Sequence, residues 1–232
     1  MTGAAAPPDA PNVPNAPNVP DAPPRARLRA LRAALHEAPL ALGIAAGLAI
    51  TVHLGRAYLL DHKLEGYRWP DYVYTAWMVH AGRPEHYDSF RNPLHGALVS
   101  GLGEAIGSYA DAAVIVSSVA VTAMIVGAAL GARALANPLA GGLAAVTLPM
   151  CLPVADAARW ANLYPLLGGT TSLAVGLAAV AARWPHPVTA ALAGSGMALA
   201  WGTDARALPF LGVVVPLVLL GAWRAARPGG PR

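Results

Sequence analysis

The chain has 232 residues, of which 56% are hydrophobic and 12% are charged. Soluble globular proteins carry roughly 25% charged residues, so this chain lacks the polar surface to cover itself in water. Its net charge of +4 comes from arginines scattered between apolar runs, without the clustered basic and aromatic surface of a nucleic-acid-binding protein. The composition therefore predicts a polytopic membrane protein whose partner is the lipid bilayer and not nucleic acid.

The N-terminal part of the chain is divided by its composition. Residues 1–24 are rich in proline and contain no apolar run, which predicts a disordered cytoplasmic tail. Residues 25–38 contain four arginines directly before the first long apolar run. Such a basic segment can bind nucleic acid or anionic lipid, but its position favours a juxtamembrane anchor on the cytoplasmic side.

Six apolar segments follow, each near the ~20 residues that span a bilayer as a helix. They predict an all-α transmembrane bundle over residues 39–223, with an external loop at 61–110 and a cytoplasmic tail at 224–232. The single cysteine, Cys151, excludes an internal disulfide, and its place in an apolar run predicts a buried, inert thiol. The predicted spans are 39–60, 111–133, 137–154, 163–182, 187–201 and 207–223.

The arginines predict the orientation of the bundle. With the N-terminus in the cytoplasm, Arg133 and Arg183 lie in cytoplasmic loops, on the same side as the arginines of both tails. The small outward loops then hold Arg159 and Arg206, each close to an acid. This bias follows the positive-inside rule, so both termini are predicted in the cytoplasm and the polar stretch 61–103 outside.

The long external loop contains the signals of an amphipathic helix. Trp69, Pro70 and Asp71 form a typical helix start, because proline is tolerated in the first turn and an acid complements the helix dipole. The helix is predicted to end at Gly82, and its aromatic residues suit the headgroup level of a membrane. The half-apolar piece 93–106 is too short and glycine-rich for a span, so we expect it to be interfacial or re-entrant.

Spacing alone leaves two interpretations for several polar residues of this loop. Asp71 is either part of the helix start or a functional carboxylate, and Arg83 and Arg91 could hold a phosphate or meet lipid headgroups. The chain has no Walker loop, nucleotide fingerprint, GxSxG or CxxC motif. The histidines lack the spacing of a zinc motif, and we expect loop or interfacial histidines at His80, His86 and His95.

Two runs in this loop resemble a known family. The first, from Asp71 to Tyr87, reads D-x-x-Y-x-A-W-M-V-x-x-G-R-P-x-x-Y, and the second, from Asn92 to Leu98, reads N-P-L-H-G-A-L. Together they are similar to the first external loop of GT-C membrane glycosyltransferases, the polytopic enzymes related to protein O-mannosyltransferases and the lipid A aminoarabinose transferase. The similarity continues in the stretches GARAL and GTDARALPF and covers roughly residues 38 to 224.

The resemblance implies an enzyme, or the N-terminal membrane portion of one, in the bacterial inner membrane. Such enzymes pass a sugar from a polyprenyl-phosphate carrier to an acceptor on the outer face. Asp71 matches the family's acid, which accepts the acceptor's proton, while cations stabilise the departing lipid phosphate. Arg159 and Arg206 are additional candidate cations on neighbouring loops. The residues predicted to bind substrate are Tyr74, Lys63, Arg68, Arg83, Arg91 and His95.

The resemblance leaves the cofactor and the partners partly open. No metal ligand is predicted, although a divalent metal is compatible with the family's chemistry. Family members usually have more membrane helices, so a second membrane subunit is an expected partner. The alternative function is a non-catalytic membrane subunit or scaffold that docks a partner through its outer loop.

Overall fold

The computed structural model of the protein describes residues 24–61, 81–82, 93–157 and 163–227. Within these ranges the chain is 92% helical and contains no strand, as the predicted all-α class requires. The helices are α1 (Pro24–Asp61), α2 (Leu94–Ile106), α3 (Tyr109–Leu135), α4 (Pro138–Thr147), α5 (Leu152–Ala157), α6 (Leu163–Arg183), α7 (Pro187–Thr203) and α8 (Leu211–Ala226), with 3-10 turns at Leu148–Met150 and Ala205–Phe210.

Four helical segments are long and apolar enough to cross a membrane. They correspond to the first, second, fourth and sixth predicted spans. The first begins earlier than predicted, because the basic segment 25–38 continues into α1. The third and fifth predicted spans lie in shorter helices, so six spans are not confirmed. The four segments are Leu28–His53, Tyr109–Leu135, Leu163–Arg183 and Ala205–Ala226.

The third predicted span is interrupted near Pro149. α4 ends at Thr147, and a 3-10 turn separates it from α5. Proline has no N–H to donate and clashes with the carbonyl four residues earlier, so an α-helix is broken there. Cys151 follows the turn and is exposed, so the prediction of a buried thiol is wrong. An apolar run did not imply burial here, because lipid tails are as apolar as leucine and stabilise outward-facing apolar residues too.

Small residues let the two central helices, α3 and α6, approach closely. Gly127 of α3 lies against the backbone of Ser172, and Gly169 and Gly176 of α6 lie against the backbone of Ala120 and Gly127. The residue numbers of the paired positions rise together, so α3 and α6 run in the same direction. A Cβ at Gly176 would collide with the carbonyl oxygen of Gly127, so any side chain there forces the two helices to shift.

The chain divides by its contacts into the units Met1–Ala34 and Leu35–Arg232, and the later part of α1 belongs to the second. In that unit Gly43 of α1 lies against Gly142 of α4, and Gly47 lies against Ala145. α1 and α4 therefore run parallel to each other. Gly141, near the start of α4, contacts Arg133 near the end of α3. Helices α1 and α4 therefore both run antiparallel to α3.

These directions give the second unit two ends with different chemistry. The arginine end, defined by Glu37, Arg133, Arg183 and Arg224, contains the C-terminal ends of α3, α6 and α8. The loop end contains the hairpin between α2 and α3, the start of α6 and the 3-10 turn after α7. Arg133, Arg183 and Arg224 lie at the arginine end, and Arg206 lies at the loop end. The predicted orientation assumed the same division of these arginines between the two sides of the membrane.

Candidate functional site

Most residues predicted for the site lie outside the described part of the chain. The predicted helix at 71–81 also lies outside it, apart from Ala81. Gly82 has a φ of 67°, the left-handed conformation that a C-terminal stop of that helix requires. The predicted site residues outside the described ranges, whose roles stay predictions, are Lys63, Arg68, Asp71, Tyr74, Arg83, Arg91 and the candidate cation Arg159.

His95, the remaining predicted site residue, lies in the first turn of α2 and is 3% exposed. It is therefore a buried helical residue, so of the two expected settings, loop or membrane interface, the loop is wrong and the interface stays a prediction. The preceding residue, Leu94, lies beside Gly202 near the end of α7. Helix α2 then runs antiparallel to α3, with Gly103 against the ring of Tyr109. The chain that returns from the long loop thus enters the bundle next to the turn that follows α7.

That turn is built around Asp204. Its Oδ1 accepts hydrogen bonds from the backbone N–H of Arg206 at 2.8 Å and from the Nε of the same residue at 2.9 Å. The Arg206 Nη2 donates to the other carboxylate oxygen. The Asp204 side chain is 2% exposed, whereas that of Arg206 is 60% exposed. A buried carboxylate therefore holds an exposed guanidinium in a fixed position at the loop end.

Tyr164, at the start of α6, supports the same guanidinium. The guanidinium carbon of Arg206 lies 5.2 Å from the centroid of the Tyr164 ring, within cation–π range. Of the five guanidinium N–H donors, two bond to Asp204, and the Tyr164 side chain is hydrogen-bonded to the same guanidinium. The exposed part of Arg206 is therefore suited to binding an anion such as a phosphate.

An apolar groove lies between α7 and α8 and begins at the same turn. One part of it has a volume of about 430 Å³ and is lined by Trp201, Leu208 and Leu211 among others. A second part of about 460 Å³ continues past Ala190 and Val218 toward the arginine end. The turn that holds Arg206 thus also contributes Leu208 to a hydrocarbon-lined groove, and an arginine and an apolar groove in one turn suit an amphiphile with an anionic head and an apolar tail.

Sequence reasoning identified only part of this arrangement. It named Arg206 as a candidate cation, and Asp204 as the nearby acid, because both lie in one short loop predicted to face outward. It missed Tyr164, because the approach of α6 to this turn is set by helix packing and leaves no local pattern. Among the described residues, no group of three or more His, Cys, Asp or Glu side chains is arranged to hold a metal ion.

Comparisons with protein-family models, with curated proteins and with solved structures find no match to this chain. Membership of the GT-C enzymes therefore stays a prediction from the loop motifs and the stretches GARAL and GTDARALPF. The second of these stretches contains Asp204 and Arg206, the two residues that form the ion pair of the loop end.

Proposed function

We propose that this chain is a membrane glycosyltransferase that moves a sugar from a polyprenyl-phosphate carrier to an acceptor on the outer face of the bacterial inner membrane. The observation that carries the proposal is the exposed guanidinium of Arg206, held in the same turn whose Leu208 lines the apolar groove. A lipid phosphate carrier has the matching chemistry, since its head is anionic and its tail is a long hydrocarbon.

The proposed reaction assigns one role to an acid and another to the cations. The Asp71 carboxylate takes the proton of the acceptor hydroxyl, and the acceptor oxygen attacks the anomeric carbon of the sugar. The bond between that carbon and the phosphate oxygen breaks, and the electron pair leaves with the polyprenyl phosphate. Arg206 stabilises the negative charge that develops on this leaving group. Further candidates for phosphate contact are Lys63, Arg68, Arg83 and Arg91.

The proposal includes an orientation in the membrane. The arginine end faces the cytoplasm, following the positive-inside rule, and the loop end faces outward. The carrier's tail then lies within the bilayer while its phosphate reaches the outer surface near Arg206. Both termini are cytoplasmic in this arrangement, and a second membrane subunit is a proposed partner.

The role of Arg206 is best tested in a background without the Asp204 charge. Removing Arg206 alone would break its ion pair with a buried carboxylate, and breaking such a pair destabilises proteins strongly. We therefore compare Asp204→Asn with Asp204→Asn/Arg206→Gln, a pair that differs only in the cation. The asparagine oxygen can still accept the backbone hydrogen bond that caps the turn.

Sugar transfer is measured with radiolabelled polyprenyl-phosphate donors in membranes that contain matched amounts of each variant. Loss of a hydrogen bond to a charged group is worth about 1.5–3 kcal/mol, so kcat/KM for the donor falls roughly ten- to hundredfold in the double variant. The KM for the acceptor stays unchanged. Equal kcat/KM in both variants removes Arg206 from the mechanism, and no transfer by the unmodified chain favours the scaffold alternative.

A further inference from the structure

We infer that the arginine end carries a binding site for an anionic phospholipid. A pocket of about 340 Å³ lies where α3, α6 and α8 end, and it is lined by Arg183 and Arg224. The pocket shares no residue with the loop end, so this inference stands independently of the proposed glycosyltransferase function.

The two arginines reach the pocket from different helices. Arg224, in the last turn of α8, is half-buried, and its Nη1 donates a hydrogen bond of 2.8 Å to the carbonyl oxygen of Ala182. This contact fixes the guanidinium against α6 while using one of its five N–H donors. Arg183 is the last residue of α6 and is exposed. The pocket therefore holds one positioned cation and one cation on a flexible stem that faces solvent.

Neither arginine has its charge compensated by a neighbouring acid in the described ranges. The ion pairs there join Glu37 to Arg133 and Asp204 to Arg206, and no described carboxylate pairs with Arg183 or Arg224. Two like charges in one pocket repel each other, and an anion between them offsets this repulsion because it attracts both guanidinium groups. Guanidinium groups bind phosphate oxygens through paired N–H donors, so a phosphate is the anion that fits best.

The walls of the pocket indicate that the phosphate belongs to a lipid. Leu135, Leu217 and Leu220 line the pocket, and Leu135 is 80% exposed at the end of α3. Trp184 and Trp223 lie at the same end with 42% and 53% of their surface exposed, as is typical of tryptophans at headgroup level. Basic pockets between membrane helices are suited to anionic headgroups, and acyl chains would cover the exposed side chain of Leu135.

The test uses the full chain, purified in detergent and titrated with dioleoyl phosphatidylglycerol or dioleoyl phosphatidylcholine, with bound lipid counted by native mass spectrometry. We expect the anionic lipid to bind at least about tenfold more tightly than the zwitterionic one. Each pocket arginine contributes roughly fivefold, so Arg183→Gln/Arg224→Gln weakens phosphatidylglycerol binding about 25-fold. As the control, the same double variant changes phosphatidylcholine binding less than about twofold, because that headgroup carries no net charge.

A second variant keeps both charges and fills the pocket. Ala136 lines it, and Ala136→Leu places additional carbon atoms in the cavity without changing the net charge. We expect this variant to bind phosphatidylglycerol more weakly while its unfolding temperature without lipid stays close to that of the unmodified chain. Unchanged phosphatidylglycerol binding in Ala136→Leu overturns the inference, as does equal binding of the two lipids. Displacement of the lipid by an equal concentration of inorganic phosphate also contradicts it, because the acyl chains then contribute nothing.

Discussion

Arg133 near the end of α3 holds Glu37 of α1 through two parallel hydrogen bonds, from Nε to Oε2 at 2.8 Å and from Nη2 to Oε1 at 2.7 Å. The same guanidinium lies 4.5 Å from the ring centroid of Trp184, just beyond α6. One side chain thus connects three helices at the arginine end, although Glu37 and Arg133 are 96 positions apart in the chain.

This pair predicts a small but measurable coupling energy. The Arg133 and Glu37 side chains are 23% and 41% exposed, so solvent screens much of their attraction. A double-mutant cycle with Glu37→Gln and Arg133→Gln should give a coupling of about 0.5–1 kcal/mol in the free energy of unfolding in detergent. High salt should reduce that coupling. A coupling of zero at low salt would mean that the pair does not join α1 to α3 in solution.

The close approach of α3 and α6 predicts unequal effects for two similar glycine substitutions. In Gly176→Ala the new Cβ meets the backbone of Gly127, and overpacking of this kind costs about 1–3 kcal/mol. Gly194 on α7 has open space where a Cβ would lie, with no neighbouring residue within 4 Å, so Gly194→Ala serves as the control. Because alanine has a higher helix propensity than glycine, Gly194→Ala should leave the free energy of unfolding unchanged or raise it by up to about 1 kcal/mol. Thermal unfolding of the purified variants distinguishes these results, and equal destabilisation would contradict the described interface.

The sequence predicted the type of structure better than the bounds of its elements. Apolar runs near membrane length indicated helices, and helices are found at each predicted span within the described ranges. The pattern did not reveal that the run at 137–154 breaks at Pro149, because apolar composition continues through the break. It also placed the start of the first helix too late, since basic residues are compatible with a helix that begins before the membrane.

The candidate site shows a similar division between local and distant relationships. The pairing of Asp204 with Arg206 is local and could be inferred from two residues in one turn. The ring of Tyr164 and the partner of Arg133 come from other helices, and only tertiary packing brings them there. The loop residues around Asp71 stay predictions, because they lie outside the described ranges.

The proposed orientation predicts which ends of the bundle face the two sides of the membrane. Ile106 is exposed at the hairpin of the loop end, and Ala226 is exposed at the last turn of α8. The test uses cells whose outer membrane has been removed and whose inner membrane is intact. In a Cys151→Ser background, Ile106→Cys should react with a membrane-impermeant maleimide added to these cells. Ala226→Cys should react only after permeabilisation. The reverse labelling pattern would place the arginine end outside and refute the orientation.

The central claim is that this chain transfers a sugar with Asp71 as the base. The most direct measurement is a single-turnover transfer from a radiolabelled polyprenyl-phosphate sugar by the unmodified chain, Asp71→Asn and the control Asp61→Asn, which removes another acid near the loop. General-base catalysis typically contributes 10²–10⁴-fold, so we expect a rate loss of roughly that size for Asp71→Asn and near-normal transfer for Asp61→Asn. Equal rates for Asp71→Asn and the unmodified chain, or no transfer by the unmodified chain, would contradict the claim.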